Sequence, residues 1–438
     1  MLVSKRKRYL SGSDWVINTL DRMMKSATCV GNISQIVLQL DSTVQQEEVR
    51  NALNRFVKKF PVIRGRGARD IRLAPYWKIP RENDGELSFH PVVLDNNGPL
   101  GDNFSPLEKS ANAPFRDKRD YLSFQLLQDG GRNVLSMTFD HRLFDARGAE
   151  GFLNLFQQDV RDGSVAGDIA FVSSAALTQW SRKFRAGQNV NRRIIALSKS
   201  TPEQLPLPRE ISGAYRYRLI SFTPRETEDV LERAYHEAGY LMESLFLLAV
   251  IVQALHDLFI QRYRPRSSYL IPVTVDLRPN ADALQEIFFN YVSYLFYQIP
   301  VQVAGDRQKI IASLKQQMYD QVKAGFPKDL AEASQLTRIA PPSILGRLLH
   351  LPLEGKMATF AFSHLGKSSY QYGDFMGVKI ENLFHMPRVP VPPGLGFFTN
   401  YFNGRLNIAL SHIDGLLKEE EVQMLEAGIR ARCGVPKT

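Results

Sequence analysis

Asn133 to Phe156 reads NVLSMTFDHRLFDARGAEGFLNLF. Its first part, Val134-Leu135-Ser136-Met137-Thr138-Phe139, alternates in the manner of a strand. Its last part sets Phe152, Leu155, Phe156 and then Val160 on one helical face, at i, i+3, i+4 and i+8. Between them runs a polar turn, Asp140 to Gly148. An imidazole, His141, therefore stands where a strand stops, and a carboxylate, Asp145, follows four residues later ahead of a helix. Histidine is the side chain best suited to take a proton from an alcohol or amine near neutral pH. A histidine–aspartate pair at this spacing also arises by chance, and in isolation a histidine satisfied within a core is the plainer reading. Of the eight histidines only His141 has an aspartate four residues on.

Outward from this stretch, elements of both kinds alternate. Before it come a helix over Leu10–Met24, a strand over Gly31–Leu40, and a helix capped by Asp41, Ser42 or Thr43 and running to about Lys59. Pro61 ends that helix, and a short strand is expected after it. Short strands follow, Leu87–Leu94 the clearest. A strand over Leu122–Gln128 then turns at Asp129-Gly130-Gly131-Arg132 into the central strand. After it, residues 161–214 carry Gly163, Gly167, a basic stretch and Pro202, Pro206 and Pro208, which reads as a crossover. The second half restarts with a strand over Tyr215–Phe222 and a helix capped by Thr223 with Pro224 at its first position. A strongly apolar helix over Met242–Tyr263 reads as buried. Strands are expected at Ser268–Asp276, Val292–Pro300 and Thr359–Leu365, with an amphipathic helix over Arg307–Ala324 and a further helical region to about His350. Residues 384–395 are proline-rich. Phe397–Tyr401 and Leu406–Ser411 pair across Asn403-Gly404, and Leu417–Arg432 closes the chain as a helix. Both halves mix strands with helices, which suits two similar lobes.

Composition narrows the class. A chain of 438 residues with 44% hydrophobic and 23% charged residues is an ordinary globular protein, long enough for two or three lobes. Cys29 and Cys433 lie too far apart for a disulfide framework or zinc spacing, which fits a reducing, cytoplasmic setting. Lys5-Arg6-Lys7-Arg8 lacks a following apolar run, so it does not read as a secretory leader. The uncharged run Ser244–His256 is short for a membrane span. Ile287–Gly305 is interrupted by Asn290, Ser293, Gln298, Pro300 and Gln302, and reads as a loop and a buried strand. The net charge of +10 suits an anionic partner: nucleic acid, a lipid surface, coenzyme phosphates or an acidic carrier protein. The basic residues are scattered, so solubility alone accounts for them equally well.

Several chemistries are disfavoured. There is no Gly-x-Ser-x-Gly elbow. Gly366-Lys367-Ser368 ends like a phosphate loop, but Ala361 stands where the first glycine belongs. Gly65-Arg66-Gly67 lacks the third glycine of a dinucleotide loop. No His/Cys/carboxylate cluster has metal spacing, so no metal site is expected. Trp15, Trp77 and Trp180 are too dispersed for a base-stacking platform, and no nucleic-acid partner is expected.

Read together, the motifs resemble the coenzyme A-dependent acyltransferase superfamily: chloramphenicol acetyltransferase, condensation domains of nonribosomal peptide synthetases, wax ester synthase/diacylglycerol acyltransferases and plant alcohol acyltransferases. The shared His-His-x-x-x-Asp-Gly reads here Asp140-His141-Arg142-Leu143-Phe144-Asp145-Ala146. Leu10-Ser11-x-x-Asp14, Phe60-Pro61-Val62-Ile63-Arg64, Pro272 to Arg278, Asn290 with Ile299-Pro300, and Phe362-Ser363-His364-Leu365-Gly366 match further family features in order. The chain departs from the pattern at Asp140, Ala146 and His364, where the family has histidine, glycine and asparagine.

The resemblance implies an α/β fold of two chloramphenicol acetyltransferase-like lobes, each a mixed sheet with flanking helices, with a tunnel between them. Residues 1–170 would form the N-terminal lobe with the His-x-x-x-Asp turn, 171–214 a crossover, and 215–438 the C-terminal lobe. It implies an acyltransferase with His141 as general base, and Asp145 paired with Arg278 as support for the turn. Ser363, the Gly148 N–H and Asn290 are candidates for contact with the oxyanion or substrate. It implies no permanently bound cofactor. The acyl donor would be acyl-CoA or a phosphopantetheine-linked acyl group, on an acidic acyl carrier protein in the latter case, and the acceptor a small alcohol or amine. A cytoplasmic monomer with room for peripheral membrane contact completes the expectation. A condensation-like protein that binds a carrier protein or ligand without catalysis is the alternative.

Overall fold

A computed structural model describes residues 2–28, 30–93, 105–129, 131–167, 169–279, 286–350, 355, 356 and 358–435. Cys29, Leu94 and Gly130 lie outside the described residues. Two six-stranded mixed sheets organise the molecule. The first runs, edge to edge, Asp374–Phe375, Val378–Pro387, Ile33–Leu40, Arg132–Asp140, Leu122–Asp129, Ser88–Val93. All its pairs are antiparallel except the last, which is parallel. The second runs Tyr215–Ser221, Arg405–Ile413, Leu395–Phe402, Ala361–Lys367, Ser268–Asp276, Val292–Pro300, with Ala361–Lys367 parallel to both neighbours.

Each sheet has its own core. Behind the first, the helices Gln46–Lys58 and Ala146–Asp162 bury Val49, Leu53, Phe56, Phe152 and Phe156. Behind the second, the helix Glu243–Arg262 fills the core with Phe246, Leu248, Val252, Leu255 and Phe259. That helix is long and apolar enough to cross a membrane, but most of its apolar window is buried in the lobe. A small third sheet, Lys7–Tyr9, Pro75–Lys78 and Arg66–Arg69, flanks the N-terminal lobe.

The hairpin across Asn403-Gly404 and the strand leading into His141 form as the pattern predicts. Three stretches differ from it. Pro61–Arg64 is a 3-10 turn before the strand Arg66–Arg69, because proline fits a helical first turn as readily as it ends a helix. Residues 171–214 hold more structure than a plain crossover: Phe171–Ser173 pairs with Leu2–Ser4, and a 19-residue helix, Trp180–Ser198, packs on Phe326–Thr337. The third matters most. Val378–Pro387, from the second half of the chain, is a strand of the first sheet, paired with Ile33–Leu40. The assignment of 215–438 to one lobe therefore omits this exchange. Proline density from 384 onward hides it, yet the ladder reaches Pro387 before the other prolines begin, and Ile380, Leu383, Phe384 and Met386 are buried.

Candidate active site

The strand Arg132–Asp140 ends level with Ile33 of its neighbour. One further rung, His141 N–H to Asn32 carbonyl at 2.9 Å, carries the ladder into the turn. Leu143 and Phe144 then anchor the turn in the core. The Phe144 ring lies 5.2 Å from those of both Phe152 and Phe288. Phe288 comes from the second half, in a segment that pairs directly with the turn. Phe289 N–H donates to Leu143 carbonyl at 2.6 Å, and Asp145 N–H donates to Phe289 carbonyl at 3.3 Å. This pairing delivers the next residue, Asn290, to His141.

The two residues are joined twice. Asn290 Nδ2 donates to the His141 carbonyl at 2.9 Å, and Asn290 Oδ1 lies 3.0 Å from His141 Nδ1. An amide whose nitrogen is spent on a carbonyl presents its oxygen to the ring, so Nδ1 carries the hydrogen. Nε2 is left with its lone pair, the form a general base needs. His141 is half-buried. Asn290 is itself fixed by Asp14, whose Oδ1 accepts its backbone N–H at 3.0 Å. Burial pushes the Asp14 carboxyl up, but Arg8, 2.6 Å away, and these hydrogen bonds hold it below the ordinary value.

Asp145 is buried and fully engaged. Oδ1 accepts Gly148 N–H at 2.8 Å and Arg278 Nη2 at 2.6 Å, and Oδ2 accepts Tyr291 N–H at 3.0 Å. It is thus the N-cap of the helix Ala146–Asp162 and the partner of a guanidinium from the other lobe. Arg278 is held further by the Glu286 carbonyl and by Asp276, each at 3.0 Å. Nothing in this set points Asp145 at His141.

The remaining candidates fall apart from this unit. The Gly148 N–H closes the cap and is not free for an oxyanion. Its missing side chain serves packing instead, since an added Cβ would stand 2.1 Å from the Ile287 carbonyl oxygen. Ser363 shares a hydrogen bond with Thr274 at 2.7 Å. Of the three departures, Asp140, at the place of the family's first histidine, is buried and committed to Arg142, accepting from its guanidinium at 2.6 and 2.9 Å and from its backbone N–H at 2.9 Å. Ala146 is the first helical residue and is not among the positive-φ positions, so the backbone conformation there does not demand glycine. His364 binds Thr399 at 2.7 Å and stands 3.8 Å from Glu243.

A second cluster ties the helix of the turn to the other half of the chain. Arg147 donates to the carbonyls of Leu365 and Lys367. Glu150, fully buried, accepts from Ser368 Oγ at 3.0 Å and from Ser369 N and Oγ at 2.7 and 2.6 Å, and its Oε1 lies 2.9 Å from His385 Nε2. Burial pushes the Glu150 carboxyl up, but His385, Arg147 and Ser369 outweigh it and hold it at about 2. A folded value below the ordinary 4.5 means that this cluster contributes stability above that pH and loses it as pH falls toward about 2. Glu150→Gln should therefore flatten the acid limb of a plot of urea-unfolding stability against pH. An unchanged limb would remove the cluster from the account of acid stability. Glu150 and His385 stand 235 positions apart, and no local pattern announces them. Asp14 was announced, as the acid of Leu10-Ser11-x-x-Asp14, but not its hold on Asn290.

No family model and no curated protein matches the sequence. Solved structures do match in fold. The trichothecene 15-O-acetyltransferase of Fusarium sporotrichioides superposes with a TM-score of 0.70 at 13% identity, covering 98% of this chain and 95% of that one. The first condensation domain of the CDA synthetase gives 0.68 at 14%, with 98% and 95% covered. Polyketide synthase associated protein 5 of Mycobacterium tuberculosis gives 0.61 at 14%, over the full length of both chains. The chain thus shares the two-lobed fold of these acetyltransferase and condensation-domain structures.

Proposed function

We propose that this protein is an acyltransferase that moves an acyl group from a thioester, acyl-CoA or a phosphopantetheine-linked carrier, to the hydroxyl or amine of a small acceptor. The observation that carries this reading is the His141–Asn290 pair, which sets the imidazole with Nδ1–H inward and the Nε2 lone pair free. His141 Nε2 takes the acceptor's proton as its oxygen or nitrogen attacks the thioester carbon. The collapsing tetrahedral adduct expels the thiolate, which recovers that proton from the imidazolium. Asp145 and Arg278 take no part in the proton transfer. They hold the turn rigid across the seam between the lobes, where a tunnel would admit donor and acceptor from opposite sides.

Incubation with a panel of acyl thioesters and acceptors, followed by thiol release, tests the reading. Release that depends on both substrates supports it, and none with any pair sinks it. Asn290→Ala should lower kcat by about 10²-fold with little change in KM, because the ring loses both its orientation and its proton position. A wild-type kcat in that variant would remove Asn290 from the mechanism.

One observation favours the alternative, a protein that binds a carrier or ligand without catalysis. The Gly148 N–H is already engaged by Asp145, so this oxyanion donor is not preformed. Carrier-protein binding without thiol release would select that reading.

A further inference from the structure

Large aliphatic side chains meet solvent at two neighbouring loops far along the chain from each other. The hairpin of the small sheet turns through Asp70 to Ala74, where Ile71 is 100% exposed and Leu73 is 64% exposed. Leu73 sits at φ 61°, a left-handed conformation that bulky residues rarely adopt. Asp70 sets the turn, accepting the N–H groups of Arg72 and Ala74 at 2.9 Å each and the Tyr9 hydroxyl at 3.0 Å. The second loop follows the helix Phe326–Thr337 and exposes Ile339, with Ile344 exposed at the start of the next helix. One guanidinium ties the loops together. Arg69 donates to the Leu73 carbonyl at 2.7 Å and to the carbonyls of Arg338 and Ala340 at 3.3 and 3.2 Å. Ile71, Leu73, Ile339 and Ile344 thus lie exposed on adjoining segments that Arg69 ties into one region.

Cations frame it. Arg72 is exposed at the hairpin tip. Arg347, also exposed, follows Ile344 by three residues on the helix Pro342–His350 and so shares its side. Across the small sheet, Lys78 faces Lys7 on one neighbouring strand and Arg66 on the other. Lys7 lies over the Tyr9 and Tyr76 rings at 4.7 and 4.1 Å, while Arg66 and Lys78 stay exposed. The acid of the turn, Asp70, is committed to the hydrogen bonds above.

We propose that this face docks on an anionic lipid surface. Protruding aliphatic side chains enter a fluid acyl layer without needing a matching groove, and the surrounding guanidinium and ammonium groups meet phosphate and carboxylate headgroups. A protein partner would be met more typically through Trp, Tyr and Arg anchors seated in pockets, with leucine under-represented. The net charge of +10 adds long-range attraction. The inference does not depend on the chemistry of His141, although the two regions are joined. Arg69 lies over the Trp15 ring at 4.7 Å, Trp15 donates to the Ala340 carbonyl at 2.9 Å, and the adjacent Asp14 anchors Asn290.

Co-sedimentation of the full chain with vesicles tests it, using phosphatidylcholine alone and phosphatidylcholine mixed with phosphatidylserine. The wild type should bind the mixed vesicles and bind the neutral ones weakly. The double variant I71E/L73E should lose about tenfold or more in partitioning, with an unchanged melting curve because both side chains already face water. R72E/R347E should lose the preference for phosphatidylserine. Ile195→Ser, an exposed aliphatic residue elsewhere, should bind as the wild type does. Failure of the wild type to bind mixed vesicles, or full binding by I71E/L73E, overturns the proposal. So does self-association of the wild type that I71E/L73E abolishes, which would assign the face to a second copy of the chain.

Discussion

His141→Ala should reduce thioester-dependent acyl transfer by about 10²–10⁴-fold, the usual contribution of a positioned general base. The melting temperature should move little. Among the described residues the His141 ring makes one side-chain hydrogen bond, to Asn290 Oδ1, while the backbone rung to Asn32 and the Asn290 bond to the His141 carbonyl survive truncation. The turn is held by Phe144, Asp145 and the Phe289 pairing, none of which involves the imidazole. Activity and stability should therefore separate cleanly. Steady-state thiol release paired with a thermal melt on the same preparation makes the comparison. A variant that folds and keeps the wild-type rate would place the chemistry elsewhere.

Asp145→Ala should behave in the opposite way and fail in stability first. Removing one partner of a buried ion pair typically costs about 3–5 kcal/mol, because the other charge stays buried without compensation. Arg278 is that other charge: both side chains are 4% exposed, and Asp276, at 3.0 Å, stays as a carboxylate partner, which places the loss toward the lower figure. Burial disfavours the Arg278 charge, and Asp145, with Asp276 and Tyr291, more than restores it. The same substitution strips the cap from the helix Ala146–Asp162 and leaves the Tyr291 N–H without its acceptor. Urea unfolding of Asp145→Ala, Arg278→Ala and the double variant resolves the pair as a coupling energy. Additive losses, with no coupling, would end the argument that this contact fixes the turn.

The central strand, the His141 turn and the helix behind it were legible because their signals are local: alternation, a polar turn, then a helical face. The Asp145–Arg278 pair was legible only through the resemblance, since 133 positions separate the two residues. The tautomer-setting role of Asn290 was not, because it depends on which amide atom faces the ring. The strand Val378–Pro387 was hidden by composition, its prolines drawing attention to the loop beyond it. Gly148 shows the converse. Its backbone reads from sequence as a free donor at a helix start, and only three-dimensional placement shows Asp145 already there.

The transfer of Val378–Pro387 into the first sheet has a consequence for synthesis. Until that strand is made, Ile33–Leu40, an eight-residue segment buried almost throughout in the finished protein, is an open apolar edge. At ordinary translation speeds the ribosome needs tens of seconds to travel from the end of the central strand to Pro387. Through that interval the nascent first half offers an unpaired strand to any passing chain. Its yield in the cell should hinge on chaperones that shield nascent polypeptides.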